Sequence, residues 1–212
     1  DQSNMAENNA YKLKLFQDET ARGLARLYEA GYLPNDSMGE VSLRDAESGL
    51  VFISIKPGTF YIADPSEYHG SDIAVTTLDG EPVTTVTPPS ERLALHLAVY
   101  KARPDVHAIL HTYPVWSSLF SERGESIPYV LAEQIEASTA VECVTAEPSM
   151  DEAYFDEVIR HLKQEKYVLL HNFGSLAVGD NMDNAFNYLA WMESVTRKIT
   201  LASMIGEPHT IG

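Results

Sequence analysis

Four side chains in the middle of the sequence are of the types that acid–base and carboxylate chemistry uses. Glu91 and Arg92 open a helical stretch, and His111 and Tyr113 lie two residues apart. Alternate residues of a strand share a face, so His111 and Tyr113 project together if the strand Val106–His111 runs on. The imidazole reads either as a hydrogen-bonded side chain in a half-buried cleft or as a general base. Tyr113 is either a core aromatic with a satisfied hydroxyl or a proton donor. Arg92 is a helix-surface charge or a clamp for a carboxylate, and Glu91 is most simply a first-turn carboxylate stabilising the helix dipole. His171 precedes Phe173 by the same two-residue step, on one face if that strand continues. His96 and His107 read as structural, Cys143 as a small buried hydrophobe, and Trp116 and Trp191 as core or interface aromatics. Glu133, Glu136 and Glu142 read as a solvated acidic surface.

The elements that must hold these side chains are written in the spacing of apolar residues. Leu13, Phe16, Leu24 and Leu27 predict a helix from Ala10 to Tyr32, closed by Gly31. Short strands follow at 40–44, 50–55, 59–63 and 73–78, with turns at Lys56-Pro57-Gly58 and Asp79-Gly80, as in an antiparallel meander. Ser90 is read as the N-cap of a helix from Glu91 to Ala102, ending before Pro104. Beyond the strand at 106–111 come a short helix near 115–120, a strand at 141–145 and a helix within 150–165. Strands at 168–170 and through Ala177-Val178 lead to a long amphipathic helix from Met182. Helices and strands alternate without repeats or linkers, which predicts helices covering one central sheet. Residues 1–9 are expected to be a flexible N-terminal segment, the four before Met5 being set aside as a remnant, and residues 10–212 to form one domain.

Composition narrows the function. Of 212 residues, 15 are Lys or Arg and 31 are Asp or Glu, a net charge of −16 that excludes a basic nucleic-acid module and disfavours anionic ligands at long range. Cys143 is the only cysteine, so no disulfide framework exists, and no run of 18 apolar residues suggests a membrane span. With no secretory pattern at the N-terminus, a cytoplasmic protein is expected.

Three blocks, taken in order, resemble the class II aldolase/adducin family. Gly39-Glu40-Val41-Ser42-Leu43-Arg44 is similar to its Gly-Asn-x-Ser-x-Arg strand. Residues 89–113 resemble its Pro-Ser-Ser-Glu helix leading to a His-x-His strand, and Asn172-Phe173-Gly174 its Asn-His-Gly turn. The resemblance covers roughly residues 10–205 and implies a single α/β/α domain with a largely antiparallel central sheet. It also implies a divalent metal, held by three histidines, that polarises the carbonyl of a sugar phosphate. Only His111 stands at a ligand position here, because Tyr113 and Phe173 occupy the other two. The family's catalytic glutamate aligns with Arg92, leaving Glu91 one residue away, about 100° around the helix. Glu40 replaces an asparagine of the phosphate cradle, and Lys56-Pro57-Gly58 its hydroxyl-bearing turn.

These departures predict no cofactor. Zinc or another divalent metal is disfavoured and, if bound, would use His111 and less readily His171. The expected function is a repurposed, metal-independent lyase or isomerase, with His111 as base, Tyr113 as proton donor and Arg92 as clamp for a small carbonyl or carboxylate ligand. A non-catalytic scaffold of the adducin type and a metal-dependent aldolase with a rearranged site are the alternatives. Self-association as a dimer or tetramer is expected from the family, with Trp116, Phe120 and the C-terminal helix as contacts, and neither nucleic acid nor membrane as partner.

Overall fold

Alternation along the strands sorts the apolar side chains into two layers, one on each side of a single sheet. The computed structural model describes residues 2–33, 39–55, 67–84, 87–136 and 141–211. Its strands are β1 (Glu40–Arg44), β2 (Val51–Ile53), β3 (Ala74–Thr76), β4 (Ala108–Thr112), β5 (Cys143–Val144), β6 (Tyr167–Leu170) and β7 (Ser175–Gly179). They lie in the order β3-β2-β1-β4-β7-β6-β5. Every neighbouring pair is antiparallel except β5 and β6. In β4 the side chains of Ala108 and Leu110 enter one core and Ile109 the other, and in β7 Ala177 and Val178 divide the same way.

The first core lies under α1 (Gln2–Glu29), α3 (Val115–Arg123) and α6 (Met182–Ile205), where Leu27, Leu189 and Met192 meet Val41, Leu110 and Ala177. The second lies under α2 (Leu93–Ala102) and α5 (Glu152–Leu162), where Leu95, Tyr100, Val158 and Leu162 meet Ile109, Leu170 and Val178. The short α4 (Ala132–Glu136) was not legible in the spacing. This is the expected single α/β/α domain with a mostly antiparallel sheet.

Two expectations need correcting. The first helix starts at Gln2, not Ala10; its first nine residues are exposed, so no apolar stripe marks them. The second begins at Leu93, not Glu91: Arg92 is the N-cap, with φ −96° and ψ 9°, and Ser90 Oγ accepts a bond from its amide in the preceding turn. The expected strand at 59–63 and the turn Lys56-Pro57-Gly58 lie outside the described residues. Among the described residues no helix is long and apolar enough to cross a membrane.

Candidate active site

The pairing register of β1 and β4 sets Glu40 directly opposite His111, on the sheet face that α2 and α5 cover. Ser42 and Arg44 follow on the same face of β1. Arg44 reaches the end of α2 and donates to the carbonyls of Tyr100 (3.0 Å), Pro104 (2.6 Å) and Val106 (2.6 Å), satisfying acceptors that a helix C-terminus and its following turn leave unpaired. Ser42 Oγ lies 2.6 Å from His96 Nδ1 and 2.7 Å from the Tyr100 hydroxyl. These bonds fix α2 across β1 and so place Arg92, at its N-terminus, over Glu40. Two glycines let the backbone close up around the pair. A Cβ on Gly39, at φ +116°, would come 2.7 Å from the His111 carbonyl oxygen. One on Gly174, at φ +71°, would collide with the carbonyl of Thr112.

The result is a buried charged array. Arg92 Nη1 donates to Glu40 Oε1 at 2.5 Å, and His111 Nδ1 lies 2.5 Å from Glu40 Oε2. His111 Nε2 lies 2.7 Å from the Phe173 carbonyl oxygen. That oxygen can only accept, so Nε2 carries a proton, and one further proton lies between Nδ1 and Glu40. His96 Nε2 is 3.9 Å from Glu40 Oε2 and has no hydrogen-bond partner. The guanidinium of Arg92 stacks on the Phe173 ring at 4.7 Å, and that ring lies 4.7 Å from His111. The Tyr113 ring is 5.2 Å from His111, and its hydroxyl is buried without a hydrogen-bond partner among the described residues.

Charge and burial pull against each other here. Burial pushes the Glu40 carboxyl up, but the charge and hydrogen bond of His111, with help from His96, outweigh it and hold the group well below the usual carboxylate range. Burial likewise opposes the charge on Arg92, and Glu40 more than restores it, so its pKa rises. His96 is fully buried and pushed down mainly by desolvation, which keeps it neutral. Burial pushes Tyr113 up to about 12, with Arg92 lowering and Glu40 raising it.

Of the residues singled out in the sequence, Arg92, His111 and Tyr113 come together. Glu91 does not join them: it is exposed, and its charge acts on Arg92. His171 is also elsewhere. β6 ends at Leu170, and Asn172 adopts a left-handed turn at φ +53°, so His171 and Phe173 do not share a face. The His171 ring lies beside Gly124, the C-cap of α3, while Phe173 packs in the α2/α5 core. Both ring nitrogens of His111 are engaged within the protein, so in this arrangement neither is free for the expected role of base. Two participants were missed, Glu40 and the Phe173 carbonyl. The signal for Glu40 was present: in β1, Glu40, Ser42 and Arg44 alternate with Val41 and Leu43, which aims the charge at the face that carries His111.

Among the described residues no three His, Cys, Asp or Glu side chains are grouped so as to share a metal ion.

Comparison with known proteins bears on this geometry. The Bacillus thuringiensis 5-deoxy-D-ribulose 1-phosphate aldolase is 28% identical over 173 residues, 82% of this chain and 79% of that one. Decarboxylase NovR of Streptomyces niveus is 25% identical over an alignment covering 97% of this chain and 75% of its own. A solved L-fuculose 1-phosphate aldolase superposes with a TM-score of 0.82 at 26% identity, covering 93% of this chain and 90% of that one. The model of the class II aldolase and adducin N-terminal domain matches residues 19–199, which span both cores and the whole charged array, and the chain belongs to that family.

Proposed function

We propose that this chain is a lyase that works without the family's metal, cleaving a bond next to the carbonyl of a small carbonyl or carboxylate substrate. The observation that carries the reading is the Arg92–Glu40–His111 array, set where the family resemblance puts a metal, with the unpaired Tyr113 hydroxyl beside it. A three-imidazole centre does not fit these residues. Both nitrogens of His111 are bonded within the protein, Phe173 has no donor atom in its side chain, and Tyr113 offers a phenol oxygen where the family has an imidazole.

The site offers donors and no free base. That suits a decarboxylation, which needs no base: the bond between the carboxylate carbon and the carbon beside the carbonyl breaks, carbon dioxide leaves, the electron pair passes to the carbonyl oxygen as an enolate, and the enolate carbon then takes up a proton. Arg92 holds the substrate's carboxylate or carbonyl oxygen and stabilises the developing charge. Tyr113 delivers its proton to carbon, and the phenolate recovers one from water. A relative named as a decarboxylase and one named as an aldolase, both names of enzymes that break carbon–carbon bonds, support the reading.

One observation favours a second reading, a non-catalytic scaffold. Both oxygens of Glu40 and both nitrogens of His111 are satisfied internally, as they are in a purely structural ion pair. A mass-spectrometric turnover screen with small keto, hydroxy and aryl acids, run in the presence of a chelator, separates the two. The lyase reading expects turnover that survives chelation and falls at least a hundredfold in Arg92→Gln and Tyr113→Phe. Activity that appears only with added metal overturns it, and ligand binding without turnover favours the scaffold.

A further inference from the structure

The protons in the array can be counted, and the count does not depend on where they sit. The Phe173 carbonyl demands one proton on His111 Nε2, and one more lies between Nδ1 and Glu40 Oε2. If that proton is on the imidazole, the pair is a cation beside an anion; if it is on the carboxyl, both are neutral. Either way Glu40 and His111 together carry no net charge. His96 is buried and neutral, and Tyr113 is a neutral phenol. Among the described residues in contact here Arg92 therefore supplies the net charge, one positive; Glu40 already holds its Nη1 edge, and the exposed Glu91 adds its negative charge from outside the array.

We infer that Glu40 selects the charge class of the ligand, admitting a singly charged carboxylate or a neutral carbonyl and rejecting a phosphate ester. The inference rests on the reading that Arg92 receives the substrate. The Arg92 side chain is 22% exposed, whereas that of Glu40 is fully buried, so a ligand meets the guanidinium with the carboxylate behind it. Beyond Glu40 and the Phe173 ring, Arg92 has no partner for its guanidinium among the described residues. Its remaining N–H groups suit the two oxygens of a carboxylate. A phosphate monoester brings close to two negative charges, one of which would enter a half-buried site with no second counter-charge among the described residues and a carboxylate close by. With glutamine at position 40 no carboxylate lies behind the guanidinium, and Arg92 meets the ligand with a neutral amide on its Nη1 edge.

Titration calorimetry on the full chain tests this, with glycolate, pyruvate, inorganic phosphate, 5-deoxyribulose and 5-deoxyribulose 1-phosphate as probes. Wild type is expected to bind glycolate or pyruvate at least tenfold more tightly than either phosphate. Glu40→Gln is expected to raise phosphate affinity at least tenfold and carboxylate affinity less. If that variant does not fold, as shown by its circular dichroism, the wild-type ranking decides, supported by Glu40→Asp, which keeps the charge and should keep the preference. Wild type preferring the phosphate ester overturns the inference and leaves the lyase reading standing. No binding by any probe, or binding untouched by Arg92→Gln, overturns that reading and the inference with it.

Discussion

Among the buried carboxylates of the described residues, Glu40 and Glu193 lie on opposite sides of the sheet and are held in opposite ways. Glu193, on α6, accepts from the backbone amides of Trp116 (3.1 Å) and Ser117 (2.8 Å) at the start of α3. Those are two of the donors that a helix N-terminus leaves unpaired, and they cannot move without unwinding the helix. Glu40 is held instead by two side chains, Arg92 and His111, each of which carries or shares a proton and each of which has rotamers to leave by. A carboxylate pinned by backbone amides is a structural cap, whereas one pinned by titratable side chains is, on the lyase reading, part of a site. On that reading, the position where the family resemblance puts a metal has its charges rebuilt around Glu40.

The largest effect that breaks this comparison is expected at Glu40. Glu40→Ala leaves Arg92 and His111 buried without their counter-charge, which costs about 3–5 kcal/mol of stability. Glu193→Ala leaves two amide donors unsatisfied and costs about 1.5–3 kcal/mol. Urea denaturation of both variants checks the order, and a Glu193 variant that loses more than the Glu40 variant would invert the assignment of roles. Adding Arg92→Leu to Glu40→Ala should recover part of the loss, whereas no single side-chain change rescues Glu193→Ala.

A smaller effect lies in the pH dependence. His96 is depressed below its ordinary 6.5 in the fold, so the unfolded chain takes up that proton first, and stability is lost as pH falls from about 6.5 toward the folded value. Glu40 is depressed below its ordinary 4.5, so its contribution is full above that value and is lost as pH falls through the lower folded one. Stability should therefore begin to decline below pH 6.5 and decline more steeply below 4.5, by at most about 1.4 kcal/mol per pH unit for each group. His96→Gln should flatten the segment between 6.5 and 4.5 and leave the acid limb in place. An unchanged upper segment would mean that His96 titrates in the fold as it does in the open chain.

How much of this was legible in the sequence differs between the two cores. The positions of β1, β4 and β7 followed from apolar runs and from the ordered family blocks, whereas the order in which the strands lie side by side did not. Arg92, His111 and Tyr113 were found because their side chains are chemically distinctive. Glu40 was seen only as a loss, since its role depends on register: nothing local says that position 40 pairs with position 111. His171 failed for a related reason, because one left-handed residue, Asn172, reversed the face that period-two counting assumed. The start of α1 was invisible because its first nine residues bury nothing.

The smallest expected change in stability is the one that separates chemistry from packing most cleanly. Tyr113 has a hydroxyl that is buried and unpaired, so the fold carries the cost of desolvating it with no hydrogen bond in return. Removing only that oxygen, in Tyr113→Phe, keeps the ring against His111 and should leave stability unchanged or raise it by up to about 1 kcal/mol, measured as the urea midpoint. A side chain kept only for packing would show the same small gain and no functional loss. If instead the gain in stability comes with loss of turnover of a screened acid, the hydroxyl is retained for a substrate, because a group that weakens the fold is kept where it acts. A Tyr113→Phe variant destabilised by more than about 1 kcal/mol would mean that the hydroxyl already has a partner in solution, and Tyr113 would then belong with Glu193 among the groups that hold the fold together.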